Sequence, residues 1–216
     1  MSTATATAQK GNSGFVRARL GSLLAFLPLS VWTVLHVWNN LAAFQGPDAW
    51  EKSVTSYSHP VAQLITGLVV LLPLMLHTAW GISRLLTTRP NNVRYGFFAN
   101  LKYALQRASA VGVLLFLGAH IWLAMLHPRF VEGHPEPFSD IAREMRHHMP
   151  TLVVYLLGTL GVSYHLANGV STFTMGWGIV SSRRGLRNVE YVTYGIFVVL
   201  LAMSWSVIYA LYSSGA

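Results

Sequence analysis

Five apolar runs, at residues 20–44, 61–86, 108–126, 152–180 and 191–212, take up most of this chain and leave it few ways to fold. Each is long enough to cross a hydrocarbon core of about 30 Å at about 20 residues per helix. Inside lipid every backbone N–H and C=O needs a partner within the protein, and long, unbroken apolar segments meet that need as helices. The overall content, 53% hydrophobic against 10% charged, lies far from that of a water-soluble domain. The expected fold is an all-α membrane protein with a bundle of five transmembrane helices over residues 15–216. A flexible N-terminus rich in Ser, Thr and Ala precedes it at residues 1–14. The connections at 46–59 and 128–150 are too short to bury a core of their own. Pro28 and Pro73 fall inside spans, where kinks are tolerated.

Lys10, Arg17 and Arg19 lead directly into a full-length span, without the short apolar run and small-residue cleavage site of a signal peptide, so the first span is expected to stay. There is no cysteine. Disulfides and thiolate-held iron–sulfur clusters are thereby excluded within the chain, and any electron carrier must be held by histidine or by a partner.

The net charge of +8 changes meaning once its positions are followed. Basic residues gather before span one (Lys10, Arg17, Arg19), between spans two and three (Arg84, Arg89, Arg94, Lys102, Arg107) and between four and five (Arg183, Arg184, Arg187). The intervening connections mix signs: Lys52 with Asp48 and Glu51, then Arg129, Arg143 and Arg146 against Glu132, Glu136, Asp140 and Glu144. This is the positive-inside pattern, with the N-terminus cytoplasmic and the C-terminus outside. The basic excess reports orientation, with anionic lipid as a secondary partner, and does not indicate nucleic acid.

Four histidines, His36, His77, His120 and His165, sit one apiece in four of these spans. A single histidine in a membrane helix is as readily explained by a hydrogen bond to a neighbouring helix or a proton path. Four suggest a cofactor, because a helical bundle holds a low-spin haem by one His on each of two facing helices, and two such pairs hold two haems. Depth along the alternating helices sorts them. His36 lies about 25 Å past Arg19 and His120 about 20 Å past Arg107, both toward the outer side. His77 lies about 10 Å before Arg84, near the inner side; His165, about 22 Å past Pro150, falls at or inside the midplane. The consistent assignment is His36 with His120 and His77 with His165. Small residues one turn from the histidines, Gly81, Ala124, Gly161 and Gly169, suit a flat macrocycle, although small residues are common at any membrane helix interface.

His59, with Tyr57 and Ser58, lies at the outer mouth of span two, where a quinone head group needs hydrogen-bonding partners; a helix-start role for Ser58 before Pro60 is the competing explanation. The adjacent His147 and His148 do not face one another on a helix and are read as solvated loop residues.

Leu35-His36 with Asn39 and Asn40, the stretch from Leu76 to Gly81, Tyr95-Gly96-Phe97-Phe98 with Asn100, Leu105-Gln106-Arg107, the stretch from Ala119 to Trp122, and His165 to Gly169 followed by Trp177-Gly178 carry a resemblance over essentially all of the chain after Gly14. The chain resembles the single-chain, five-helix, dihaem cytochrome b anchor of bacterial succinate dehydrogenases and fumarate reductases. The resemblance implies a multi-pass protein of the bacterial cytoplasmic membrane. It implies two haems b as cofactors, with His36 and His120 on the distal one and His77 and His165 on the proximal one. It implies as partners an FAD-bearing flavoprotein subunit and an iron–sulfur subunit on the cytoplasmic face, and a membrane quinone, menaquinone by similarity, as electron partner. On this view Arg17, Arg19, Tyr103 and Arg107 are candidates for the haem propionates, with topology and lipid contact as their alternative role. Glu51, Tyr57 and His59 are the quinone-site candidates. The competing readings are the cytochrome b of a hydrogenase or formate dehydrogenase, and a proton-coupled transporter using the histidines as a relay.

Overall fold

The computed structural model describes residues 19–56, 60–87 and 97–215. These fold into α1 (Arg19–Gln45), α2 (Pro47–Val54), α3 (60–87), α4 (Phe98–Glu132), α5 (Phe138–His147), α6 (Met149–Gly176) and α7 (Arg183–Ser214), with no strand among the described residues. Of these, α1, α3, α4, α6 and α7 are long and apolar enough to cross a membrane. Arg17, Tyr57, Ser58, His59 and Tyr95 lie outside the described residues, as does the 1–14 segment.

The spans are not uniform helices. α1 widens to π-type turns over Ala25–Leu29, around Pro28, and the Ser30 hydroxyl donates to the Ala25 carbonyl at 3.0 Å. Proline lacks the N–H that a regular turn needs and its ring crowds the preceding turn, so widening accommodates it. A similar turn at Gly67–Leu71 precedes Pro73, and another, Trp122–Leu126, begins two residues after His120.

Burial is uneven. α6 buries Tyr155, Ser163, Ala167 and Phe173, and α7 buries Leu200, Val207, Ile208 and Leu211, whereas the regular part of α4, 98–121, buries Phe116 alone. α6 runs against both α4 and α7. A Cβ at Gly158 on α6 would overlap the Phe116 ring, so that crossing depends on glycine.

At one end of the bundle the connections at 46–59 and 128–150 themselves carry helices. Gly46 turns the chain with φ 101°, a conformation glycine reaches without strain, and α2 starts at once with Pro47 in its first turn. Across the opposite connection α5 places Phe138, Ile141, Ala142 and Met145 on one buried face, with Arg143, Glu144, Arg146 and His147 exposed. That spacing is the apolar stripe of an amphipathic helix. Neither segment could form a core alone; together they close over the bundle end, and Ala43, Trp50, Phe138, Ile141, Met145, Tyr155, Ile208 and Leu211 share one cluster. Burying a large apolar side chain stabilises by about 2 kcal/mol, and Met145 and Phe138 are almost fully covered.

We call this the capped end. The opposite, basic end carries Arg19, Arg84, Lys102, Arg107 and Arg183. α7 also begins earlier than the apolar run at 191–212 and takes in Glu190, whose carboxylate accepts from Lys102 Nζ at 2.7 Å and from the Tyr194 hydroxyl at 2.8 Å.

Candidate functional site

Two pairs of histidines face each other across the bundle. His36 on α1 and His120 on α4 lie toward the capped end with ring centres 5.9 Å apart. His77 on α3 and His165 on α6 have ring centres 6.4 Å apart, and polar contacts of this pair reach Gly21 and Gln106 near the basic end. Two imidazoles on opposite sides of one metal, each nitrogen about 2 Å away with its ring centre about 1 Å further, have centres about 6 Å apart. Both pairs meet that distance.

The hydrogen bonds decide which nitrogen is available. His77 Nδ1 lies 3.1 Å from the Gly21 carbonyl, which can only accept, so Nδ1 carries the proton and Nε2 keeps its lone pair. The approach depends on Gly21, where a Cβ would sit 2.6 Å from the Trp80 ring. His165 Nδ1 lies 3.3 Å from Ser109 Oγ, whose own proton is donated to the Gln106 carbonyl at 3.0 Å. The serine oxygen and the Gln106 carbonyl are thus both within reach of the protonated His165 Nδ1 as acceptors, and again Nε2 is bare. His120 Nδ1 is 3.0 Å from the Tyr155 hydroxyl, and Phe116 stacks on the ring. His36 differs. Its ring stacks on Trp32 with centres 4.5 Å apart, and the Asn40 amide lies 3.5 Å from Nε2, at the limit of a hydrogen bond, while donating to the His36 carbonyl at 2.8 Å. Trp50 Nε1–H in turn donates to Asn40 Oδ1 at 3.0 Å.

Among the described residues no three or more His, Cys, Asp or Glu side chains converge as a metal site. Two facing imidazoles suit a metal that brings its other ligands with it, as haem iron does. A Cβ at Gly81, one turn beyond His77, would meet nothing within 4 Å, which leaves room for a flat group there, whereas Gly161 and Gly169, one turn to either side of His165, lie against α4, where a Cβ would stand 3.6 Å from Val113 and 4.0 Å from Gln106 Nε2.

The remaining candidates fall as follows. Arg107 donates to the Tyr103 hydroxyl at 2.8 Å and to the Leu85 carbonyl, which brings two of the propionate candidates together at the basic end. Arg19 lies over the Trp177 ring, 5.5 Å from its centre. Glu51 Oε1 accepts the Phe138 backbone N–H at 2.9 Å and so caps the start of α5 from α2. His148 contacts Thr151 Oγ1 at 2.7 Å, and His147 Nε2–H donates to the Gly215 carbonyl at 3.0 Å. Reasoning from the sequence assigned no role to Ser109, Tyr155 and Glu190, and Gln106 entered only as part of the Leu105-Gln106-Arg107 segment. The available signal was a polar side chain within, or at the edge of, an apolar span. The Gly21 carbonyl, being backbone, left none.

Fold and site together define a class: an all-helical, multi-pass integral membrane protein that presents two pairs of facing histidines from four of its spans. No protein-family model matches the chain. It is 28% identical over 201 residues, 93% of this chain and 98% of the other, to the succinate dehydrogenase cytochrome b558 subunit of Bacillus subtilis (strain 168).

Proposed function

We propose that this chain is the cytochrome b membrane anchor of a succinate:quinone oxidoreductase, holding one haem b between His36 and His120 and a second between His77 and His165. The observation that carries the reading is the pair of facing imidazole sets at about 6 Å, with the Nε2 lone pairs of His77 and His165 left free by their Nδ1 partners. The near full-length similarity to a succinate dehydrogenase cytochrome b558 subunit supports it.

Haem b bound at these pairs supplies one-electron carriers at two levels of the membrane. The chain's own part would be to hold the haems through the imidazoles of His36, His77, His120 and His165, to fix those rings through Gly21, Ser109 and Tyr155, and to surround them with apolar side chains such as Trp32, Trp80 and Phe116. Arg107 with Tyr103, and Arg19, are suited to hold propionates, since charge-assisted bonds favour a carboxylate leaving water. With the basic end cytoplasmic, as the loop charges suggest, the iron–sulfur and flavoprotein subunits dock there, and quinone, menaquinone by resemblance, exchanges electrons with the chain.

The test is a reduced-minus-oxidised difference spectrum of the complex purified through this chain, with haem, flavin and chain quantified together. Two haems b and one flavin per chain are expected. A haem-to-chain ratio near zero contradicts the proposal.

A further inference from the structure

α4 and α6 carry a second set of polar side chains around His165. Gln106 Nε2–H donates to the His165 backbone carbonyl at 3.1 Å, while Gln106 Oε1 accepts from Asn168 Nδ2 at 2.9 Å. One turn along α4, Ser109 donates its proton to the Gln106 carbonyl and offers its oxygen to His165 Nδ1–H. A carbonyl oxygen has two lone pairs, so the His165 carbonyl can take the amide in addition to its helix bond. Gly169, one turn beyond His165, lies on the same side, where a Cβ would stand in ordinary contact with Gln106 Nε2 at 4.0 Å.

A helix–helix contact needs none of this, because small residues and dispersion suffice in lipid, and a polar group left without a partner there is costly. Here both ends of the Gln106 side-chain amide are occupied, and both bonds land within one turn of His165.

We infer that Ser109, with Gln106 and Asn168, forms a positioning device for His165: the amide clamp sets where the α6 backbone carries the histidine, and the serine oxygen, beside the Gln106 carbonyl, fixes its ring and tautomer. This rests on the reading of His165 as an axial haem ligand. Ser109 touches neither iron nor quinone, and its effect passes through the imidazole, which becomes a stronger donor when its Nδ1–H is hydrogen-bonded. Stronger donation favours the ferric state, so losing the serine oxygen favours the ferrous one.

The experiment uses the purified complex with this chain as parent, Ser109→Ala, Ser109→Thr and Gln106→Leu, each followed by redox titration and low-temperature electron paramagnetic resonance. In Ser109→Ala the basic-end haem stays bound. Its ferric-to-ferrous ratio at fixed potential falls about threefold to tenfold, tenfold corresponding to about 59 mV for one electron. Ser109→Thr, which keeps the hydroxyl, returns to within about twofold of the parent. Gln106→Leu displaces the resonance signal of the same haem and lowers its occupancy about tenfold. The capped-end haem is unchanged throughout. A Ser109→Ala complex whose basic-end haem keeps the parental potential and signal overturns the inference, as does an equal shift in Ser109→Thr. A parent purified without haem overturns the proposed function instead, so the two failures are distinguishable. Where Gln106→Leu does not accumulate, the two serine variants decide the matter.

Discussion

Tyr155 on α6 places its hydroxyl 3.0 Å from Nδ1 of His120 on α4, and the same tyrosine packs edge-on against Phe116, whose ring stacks on the histidine. The capped-end pair is thus tied to the bundle's buried cluster, to which both Phe116 and Tyr155 belong. Tyr155→Phe keeps the packing and removes the hydrogen bond, worth about 1 kcal/mol. The capped-end haem is expected to remain bound with a few-fold altered redox equilibrium, and the basic-end haem to be unaffected. Separate redox titration of the two components checks this.

Gly158 is where α6 admits the Phe116 ring. Gly158→Ala puts a methyl group into that ring, and overpacking of this kind costs about 1–3 kcal/mol. We expect the capped-end haem to fall in occupancy while the basic-end haem persists, measured as the ratio of the two components per chain. Equal loss of both would show that Phe116 serves the whole bundle rather than one pair.

Glu51 caps α5 by accepting the Phe138 N–H. Glu51→Ala removes the acceptor and is expected to cost about 1 kcal/mol, seen as faster proteolysis in the 128–150 connection. Glu51→Gln keeps an acceptor oxygen and should lie between. If instead the alanine variant leaves proteolysis unchanged and abolishes quinone reduction, Glu51 serves the quinone.

Glu136 lies in the same connection, half-buried, and burial together with the Asp140 and Glu132 carboxylates pushes its acid up to about 7, against a smaller opposing pull from His134. The folded cap thus holds the proton more tightly than the unfolded segment does. Its contribution is fully present below about pH 4.5 and is lost as pH rises to about 7, because ionisation then opposes the folded form. Proteolysis of the connection should accelerate across that window, and Glu136→Gln should flatten the profile.

The five spans were legible because length and apolarity alone decide them in lipid. The histidine pairs could be sorted by depth, since the rise of a helix and the alternation of its direction turn residue number into height. What escaped was the cap. Residues 138–147 contain the stripe of Phe138, Ile141, Ala142 and Met145, but the segment is short and carries charges, so it reads as a loop until α2 and the ends of α6 and α7 supply a surface to cover. The partners of the histidines escaped for another reason. Ser109 meets His165 across 56 residues of sequence and Gly21 meets His77 through a backbone atom, and neither relation has a local pattern.

The central claim is that His36 and His120 share one haem while His77 and His165 share the other. Redox-resolved difference spectroscopy on the complex carrying each single His→Ala change tests it most directly. His36→Ala and His120→Ala should remove or convert the same component, and His77→Ala and His165→Ala the other one. Loss of a common component in His36→Ala and His77→Ala, or four spectra indistinguishable from the parent, would contradict it.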